Sequence, residues 1–180
     1  MSDVIKISSP ETRNFWEIPI LFEDEQLLAL NKPAELLTSP DRFDLARPSL
    51  IGLLHRDIQR GATWAKHRPG LAYLMNAHRL DAETTGVLLL AKSKPVLIAL
   101  ANQFGSETPL KTYVALVRGT MQQDTFEVSA KIAPHPVKLG TMRVEERNGK
   151  QARTEFTVRE RFRGFSLLEC RPLTAQTHQI

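Results

Sequence analysis

A short apolar run, Gly86 to Ala91, directly follows a polar segment, and this junction constrains the fold more than any other feature of the chain. Six such residues predict a buried strand and are far too few to span a bilayer. Asp81 lies just before the strand, close behind His78 and Arg79. A carboxylate at the mouth of a buried strand is held by the core behind it, which suits a functional residue. These residues alone favour a simpler interpretation, in which Asp81 caps a turn and the two basic residues lie on the surface.

Apolar periodicity predicts regular elements on both sides of this junction. The runs Ile18–Phe22 and Leu27–Leu30, separated by an acidic turn, are typical of a hairpin. Residues 49–60 and 93–105 have the spacing of helices. Five strands are predicted after Gly105: Thr112–Val117, Thr125–Ile132, Thr141–Glu145, Ala152–Val158 and Phe165–Arg171. The pattern predicts an α+β fold with a mixed, mainly antiparallel sheet and flanking helices.

Three local expectations accompany this assignment. Asn148-Gly149 is a strong hairpin signal, and residues 61–77, which include Pro69-Gly70, predict a loop. Ser93 is expected to cap the second helix. The buried stripe predicted for that helix consists of Val96, Leu97, Leu100, Ala101 and Phe104.

Composition predicts a globular chain with one core. The chain has 180 residues, of which 42% are hydrophobic and 24% are charged. We expect residues 1–17 to form a polar N-terminal arm and residues 18–180 to form one catalytic domain. The N-terminus lacks the apolar stretch of a signal peptide, and the lone Cys170 predicts a small core residue rather than an intramolecular disulfide. A cytoplasmic location is therefore expected.

The basic residues are clustered, although the net charge of +4 is small. A basic surface suits a polyanionic partner, but clusters of this kind are as often simply solvated faces. The first cluster contains Arg56, Arg60, Lys66, Arg68 and Arg79, and the second contains Arg153, Arg159, Arg161, Arg163 and Arg171. Charge alone does not choose between the two interpretations.

The segment HRLDAETTG, residues 78–86, resembles the HRLD-x-x-T-[ST]-G signature of the RluA family of RNA pseudouridine synthases. Four other segments resemble motifs of that family in the same order: Leu28–Pro33, Lys111–Gly119, Gly149–Phe156 and Leu173–Ile180. The resemblance runs from about residue 20 to the last residue. HRLD alone is weakly specific, whereas the ordered set of motifs is highly specific.

The chain departs from the family pattern in three places. Glu35 stands where many members have glycine, and Ala175-Gln176 replaces a Gly-Arg pair. The chain ends at Ile180, immediately before the position of the family's active-site arginine. We therefore expect a fragment that lacks the C-terminal part of the pseudouridine synthase catalytic-domain fold.

The resemblance implies isomerisation of uridine to pseudouridine in structured RNA, either transfer RNA or ribosomal RNA. Asp81 is implied as the catalytic carboxylate, acting as a nucleophile on the sugar or as a base. Arg79 is implied to enter the space left by the flipped uridine, and Tyr113 to lie against the uracil. The further RNA contacts expected are His78, Lys111, His178 and Gln179. Residues 61–76 are the candidate segment for substrate choice.

No cofactor, metal or membrane is expected, because the chain has no metal-ligand spacing and no glycine-rich nucleotide loop. An RNA stem-loop is the expected partner, and a monomer the expected state. Two alternatives stay open. One is a catalytically inactive RNA-binding module or fragment of the same fold, and the other is a carboxylate hydrolase that uses Asp81 and Glu83.

Overall fold

The computed structural model describes residues 3–41, 44, 46–68 and 71–180. The chain divides into two compact units, Met1–Ser106 and Glu107–Ile180. Pro69 and Gly70, on which part of the loop prediction rested, lie outside the described residues. Whether residues 18–180 act as one catalytic domain stays a prediction.

In its described residues, the first unit combines a five-stranded antiparallel sheet with three helices. Its strands are β1 (Val4–Ser8), β2 (Phe15–Glu23), β3 (Leu27–Lys32), β4 (Met75–Asn76) and β5 (Gly86–Ala91), in the order β1-β2-β3-β5-β4. Its helices are α1 (Leu50–Gln59), α2 (Thr63–Lys66) and α3 (Lys94–Gly105). Alternate residues of the strands, such as Leu28, Leu30, Leu88 and Leu90, are fully buried together with one face of α1.

The second unit is a second five-stranded antiparallel sheet. Its strands are β6 (Tyr113–Arg118), β7 (Thr125–Pro134), β8 (Met142–Val144), β9 (Lys150–Phe162) and β10 (Phe165–Pro172), in the order β6-β10-β9-β7-β8. Leu168 and Cys170 are buried on one sheet face, opposite Ala115 and Tyr113 of β6. The prediction that Cys170 is a buried residue is confirmed, and this burial raises the pKa of its thiol.

The predicted α+β class is confirmed, and so are the hairpin, both helices and the five later strands. Every pairing between strands in the described residues is antiparallel, and one isolated parallel bridge joins Leu37 to Ser49. Helix α1 begins where predicted, because the Ser49 hydroxyl accepts a hydrogen bond from the Gly52 amide at 3.2 Å. No helix within the described residues is long and apolar enough to cross a membrane.

Two segments are more regular than predicted. The polar arm contains strand β1, whose Ile5 and Ile7 are fully buried, so the segment has the period-two alternation of a half-buried strand. The loop predicted for residues 61–77 contains α2 and β4, and α2 buries Trp64.

Three local predictions were wrong. Ser93 occupies the N-cap position of α3, but its side chain makes no capping hydrogen bond. The Asn148-Gly149 turn does not join paired strands, because β8 and β9 lie on opposite sides of β7. Gly149 is needed for another reason, since a Cβ built there would lie 2.3 Å from the Glu145 carbonyl oxygen. Helix α3, which is described throughout, has no fully buried residue, and Ala101 of the predicted stripe is exposed.

Candidate active site

Asp81 lies in a segment between β4 and β5 in which three other residues are fixed by hydrogen bonds. His78, Leu80 and Ala82 each bond to other parts of the first unit, through a ring nitrogen or through backbone groups. Arg79 and Glu83, on the alternate positions, are exposed, and Asp81 is half-buried.

His78 joins the beginning of this segment to strand β5 and helix α3. Its Nε2 accepts a hydrogen bond from the Leu89 amide at 3.1 Å, so the ring proton is assigned to Nδ1. The ring also stacks on Phe104, with centroids 4.6 Å apart. Backbone pairing of β4 with β5 ends next to Leu89. The imidazole thus accepts the Leu89 amide in place of the carbonyl of a neighbouring strand. These contacts favour a structural role for His78, and its predicted RNA contact stays a prediction.

Thr38 holds the middle of the segment. Its hydroxyl donates to the Leu80 carbonyl at 2.7 Å and accepts from the Leu80 amide at 3.1 Å. Both residues are buried, so this one side chain satisfies two backbone groups that water does not reach. The next residue, Asp81, has its carbonyl bonded to the Thr84 amide at 3.1 Å, which closes a turn before β5.

Lys32, the last residue of β3, lies beneath that turn and is fully buried. Its Nζ donates to the carbonyls of Pro33 and Leu36 at 2.7 Å each and to that of Ala82 at 3.0 Å. Burial lowers the pKa of Lys32 to about 8, while the negative charges of Glu83 and Asp81 act in the opposite direction.

Glu35 lies in the loop that Lys32 also binds, and its backbone is left-handed, with φ of 60°. Glycine adopts this conformation without the steric cost that a side chain brings. Glu35, which departs from the glycine of the family pattern, therefore carries local backbone strain.

The remaining predicted site residues lie in the second unit. Tyr113 begins β6 and is half-buried, and Lys111 lies two residues before it. His178 has a left-handed backbone, with φ of 51°. Their positions within the second unit do not show whether these three residues contact RNA, and their roles stay predictions.

Gln179 uses its whole side-chain amide within the second unit. Its Nε2 donates to the Arg153 carbonyl and the Thr154 hydroxyl, both at 3.0 Å. Its Oε1 accepts from the Thr174 hydroxyl at 2.9 Å and from the Gln176 amide at 3.0 Å. Two donors and two acceptors are the full capacity of an amide, which favours a structural role over RNA contact.

Most basic residues of the two clusters are paired with acids. In the first cluster, Arg68 bridges Asp3 and Glu23, and Arg60 pairs with Asp57. In the second, the pairs are Arg153–Glu127, Arg159–Glu169, Arg161–Asp124 and Arg171–Glu169. Arg79 differs from these in being exposed next to a candidate catalytic carboxylate.

Sequence reasoning did not find Thr38, and it did not predict that Lys32 binds the Asp81 turn. The available signal for Lys32 was its position at the end of an apolar strand, where a charged residue needs partners when it is buried. No comparable signal exists for Thr38, because threonine is common in both loops and strands.

Comparison with known proteins decides the family. A family model described as RNA pseudouridylate synthase matches residues 26–180. The chain belongs to the RNA pseudouridylate synthase family. Its predicted resemblance to the RluA-type members is also confirmed. Ribosomal large subunit pseudouridine synthase D of Nitrosomonas europaea is 37% identical over 166 residues, which are 91% of this chain and 44% of that protein. Ribosomal large subunit pseudouridine synthase C of Escherichia coli K12 is 35% identical over 162 residues, 89% of this chain and 47% of that protein.

Solved structures of this family agree with the fold. The human protein RNA pseudouridylate synthase domain containing 4 superposes with a TM-score of 0.70 at 25% identity, over 89% of this chain and 60% of that one. The chain spans about half the length of the curated relatives it matches, 44% and 47% in the two cases above.

Proposed function

We propose that this chain isomerises uridine to pseudouridine in RNA, with Asp81 as the catalytic carboxylate. The observation that carries the proposal is the fixed backbone of residues 78–84, which presents Asp81 and Arg79 from an anchored segment in a chain of this family. A carboxylate held in this way can act without first having to be ordered, which lowers the entropic part of a barrier.

The reaction breaks the bond between uracil N1 and ribose C1′ and forms a bond between uracil C5 and C1′. The C5 proton is lost and N1 gains a proton, so no oxidant or reductant is consumed. Asp81 serves either as a nucleophile on the sugar or as the base that removes the ribose 2′ proton.

A uridine in a folded RNA has to leave its stack before Asp81 can reach it, at a cost of a few kcal/mol. We propose that Arg79, whose side chain is exposed, occupies the vacated space, since a planar guanidinium stacks on bases. Tyr113 is proposed to lie against the uracil and to assist removal of the C5 proton. Lys111 and His178 are proposed to contact the RNA backbone.

Ribosomal RNA of the large subunit is the first substrate to test, because the relatives named above carry that substrate in their names. Transfer RNA is the second. We expect residues 61–76, which contain α2, to influence the choice between them. Exchanging this segment for that of a relative with another target should change the modified position, and an unchanged position would remove the idea.

The proposal is tested by following tritium release from RNA that is tritiated at uridine C5. The C5 hydrogen is lost when carbon takes its place, so release reports the chemistry directly. We expect release with ribosomal or transfer RNA and none with RNA whose uridines have already been converted. Tight RNA binding without release from any pool would instead support an RNA-binding module.

A further inference from the structure

Lys32 is a fully buried cation that takes no part in the chemical steps of the proposed reaction. Buried lysines are rare because taking an ammonium out of water is costly unless its charge and its three N–H groups find partners. Here each N–H has a carbonyl acceptor. Two acceptors, Pro33 and Leu36, belong to the loop after β3, and the third, Ala82, belongs to the turn that carries Asp81.

We propose that Lys32 is a positioning residue: its buried ammonium ties the Asp81 turn to the loop after β3 and so fixes the catalytic carboxylate. This inference rests on the proposed function of Asp81. The ammonium bonds to the carbonyl of the residue next to Asp81, so it controls the backbone from which the carboxylate projects. The negative charges of Asp81 and Glu83 both act on it, which makes it a counterion as well as a tether.

Other side chains do not replace this arrangement. Methionine has a similar length and fills the same apolar space, but it leaves three carbonyls without donors. Arginine keeps the charge, but its donors lie in a plane and cannot converge on three carbonyls arranged around a single nitrogen. The arrangement therefore needs a compact ammonium, and that requirement can be tested.

The tether should also depend on pH. Lys32 has a pKa of about 8 in the folded protein, so moderately alkaline solution removes its charge and one of its donors. The charged groups that act on it are Glu83 and Asp81. Of the other ionisable residues of the two tethered segments, Glu35 and Arg79 are exposed and His78 is half-buried. We expect turnover to fall above about pH 8.

Loss of the Lys32 proton lowers turnover but raises the free energy of unfolding. The alkaline fall in turnover can therefore be distinguished from unfolding. The folded-state pKa lies below the ordinary value of 10.5, so the native state loses the proton first. The contribution of Lys32 to the free energy of unfolding is then most favourable above pH 10.5 and is lost as the pH falls through about 8. The proposed tether therefore predicts that turnover falls between about pH 8 and pH 10.5 while the protein stays folded.

The test compares Lys32→Met with Asp57→Asn in the same tritium-release assay. Asp57 is a matched control because it is also a buried charged residue of the first unit. Its carboxylate lies 3.0 Å from Trp64 Nε1 and 2.8 Å from an Arg60 guanidinium nitrogen, and these are not partners of the Asp81 turn. We expect Lys32→Met to lower kcat about 100-fold with little change in KM, since small misplacements of a catalytic group cost this much. Asp57→Asn should keep kcat within about threefold and keep the alkaline fall, which Lys32→Met should lose.

Hydrogen–deuterium exchange gives a second result that does not need turnover. The amides of residues 78–84 should exchange faster in Lys32→Met than in the unchanged protein and should be unaffected in Asp57→Asn. If the unchanged chain releases no tritium, the proposed function fails, while the exchange data still decide whether Lys32 fixes the turn. Unchanged exchange in Lys32→Met, or a kcat within about threefold of the unchanged protein, would overturn the inference.

Discussion

Replacing Thr38 with valine removes the hydroxyl that holds the middle of the Asp81 segment while keeping the shape of the side chain. The hydroxyl makes two hydrogen bonds to the backbone of Leu80, at 2.7 and 3.1 Å. Thr38 is 3% exposed and Leu80 is 7% exposed, so water cannot replace the lost partner. Both the amide and the carbonyl of Leu80 are left unsatisfied in Thr38→Val.

The magnitude follows from these two groups. Leaving one buried backbone group without a partner costs roughly 1–3 kcal/mol, and the extra apolar contact of valine returns less than about 1 kcal/mol. We therefore expect Thr38→Val to lower the free energy of unfolding by about 2–4 kcal/mol. With a urea m-value of roughly 2 kcal/mol per M, the midpoint of denaturation should fall by about 1–2 M.

Thr38→Ser is the matched control, because it keeps the hydroxyl and removes a methyl group, at a cost of about 1 kcal/mol. Urea denaturation followed by tryptophan fluorescence measures both variants, since Trp64 is part of the same core. A Thr38→Val protein within about 0.5 kcal/mol of the unchanged protein would refute this reasoning. So would a serine variant that is destabilised as much as the valine variant.

Three further predictions concern the same unit. Leu88→Ala should lower the free energy of unfolding, measured by urea denaturation, by about 2–5 kcal/mol, because Leu88 is fully buried. Val87→Ala on the same strand should lower it by less than about 1 kcal/mol, because Val87 is 55% exposed. Equal losses would contradict the burial pattern. Glu35→Gly should leave the free energy of unfolding unchanged or raise it by up to about 1 kcal/mol in thermal denaturation, because glycine adopts the left-handed backbone there without strain. A clear loss of stability would argue against strain at this position. Arg79→Ala should weaken RNA binding, because the guanidinium that is proposed to stack on the bases is lost. An unchanged affinity would remove Arg79 from the RNA contact.

The sequence predicted elements whose apolar residues are contiguous in the chain. Strands β3 and β5 are recognisable because Leu28, Leu30, Leu88 and Leu90 follow a strand pattern within short runs. Strand β1 was missed because it has only five residues between polar neighbours, so its alternation was too short to stand out. Burial of such a strand is decided by β2 and α1, which are distant in sequence.

The contacts that hold the Asp81 turn could not be predicted from local sequence patterns, because they too join residues distant in sequence. Thr38 and Leu80 are 42 positions apart, and Lys32 and Ala82 are 50 apart. No spacing rule connects such residues. Asp81 and Arg79 could be selected because they lie beside a buried strand in a recognisable motif, whereas Tyr113 and His178 were selected through family resemblance alone.

Tritium release by Asp81→Asn and Glu83→Gln, measured side by side with the unchanged chain, tests the central claim most directly. The two substitutions remove neighbouring carboxylates of the same turn with minimal change of shape. We expect Asp81→Asn to abolish release and Glu83→Gln to keep it within about tenfold, since Glu83 is exposed and its proposed effect is through its charge on Lys32. Release by Asp81→Asn at the rate of the unchanged chain, or equal loss in both variants, would contradict the assignment of Asp81 as the catalytic carboxylate.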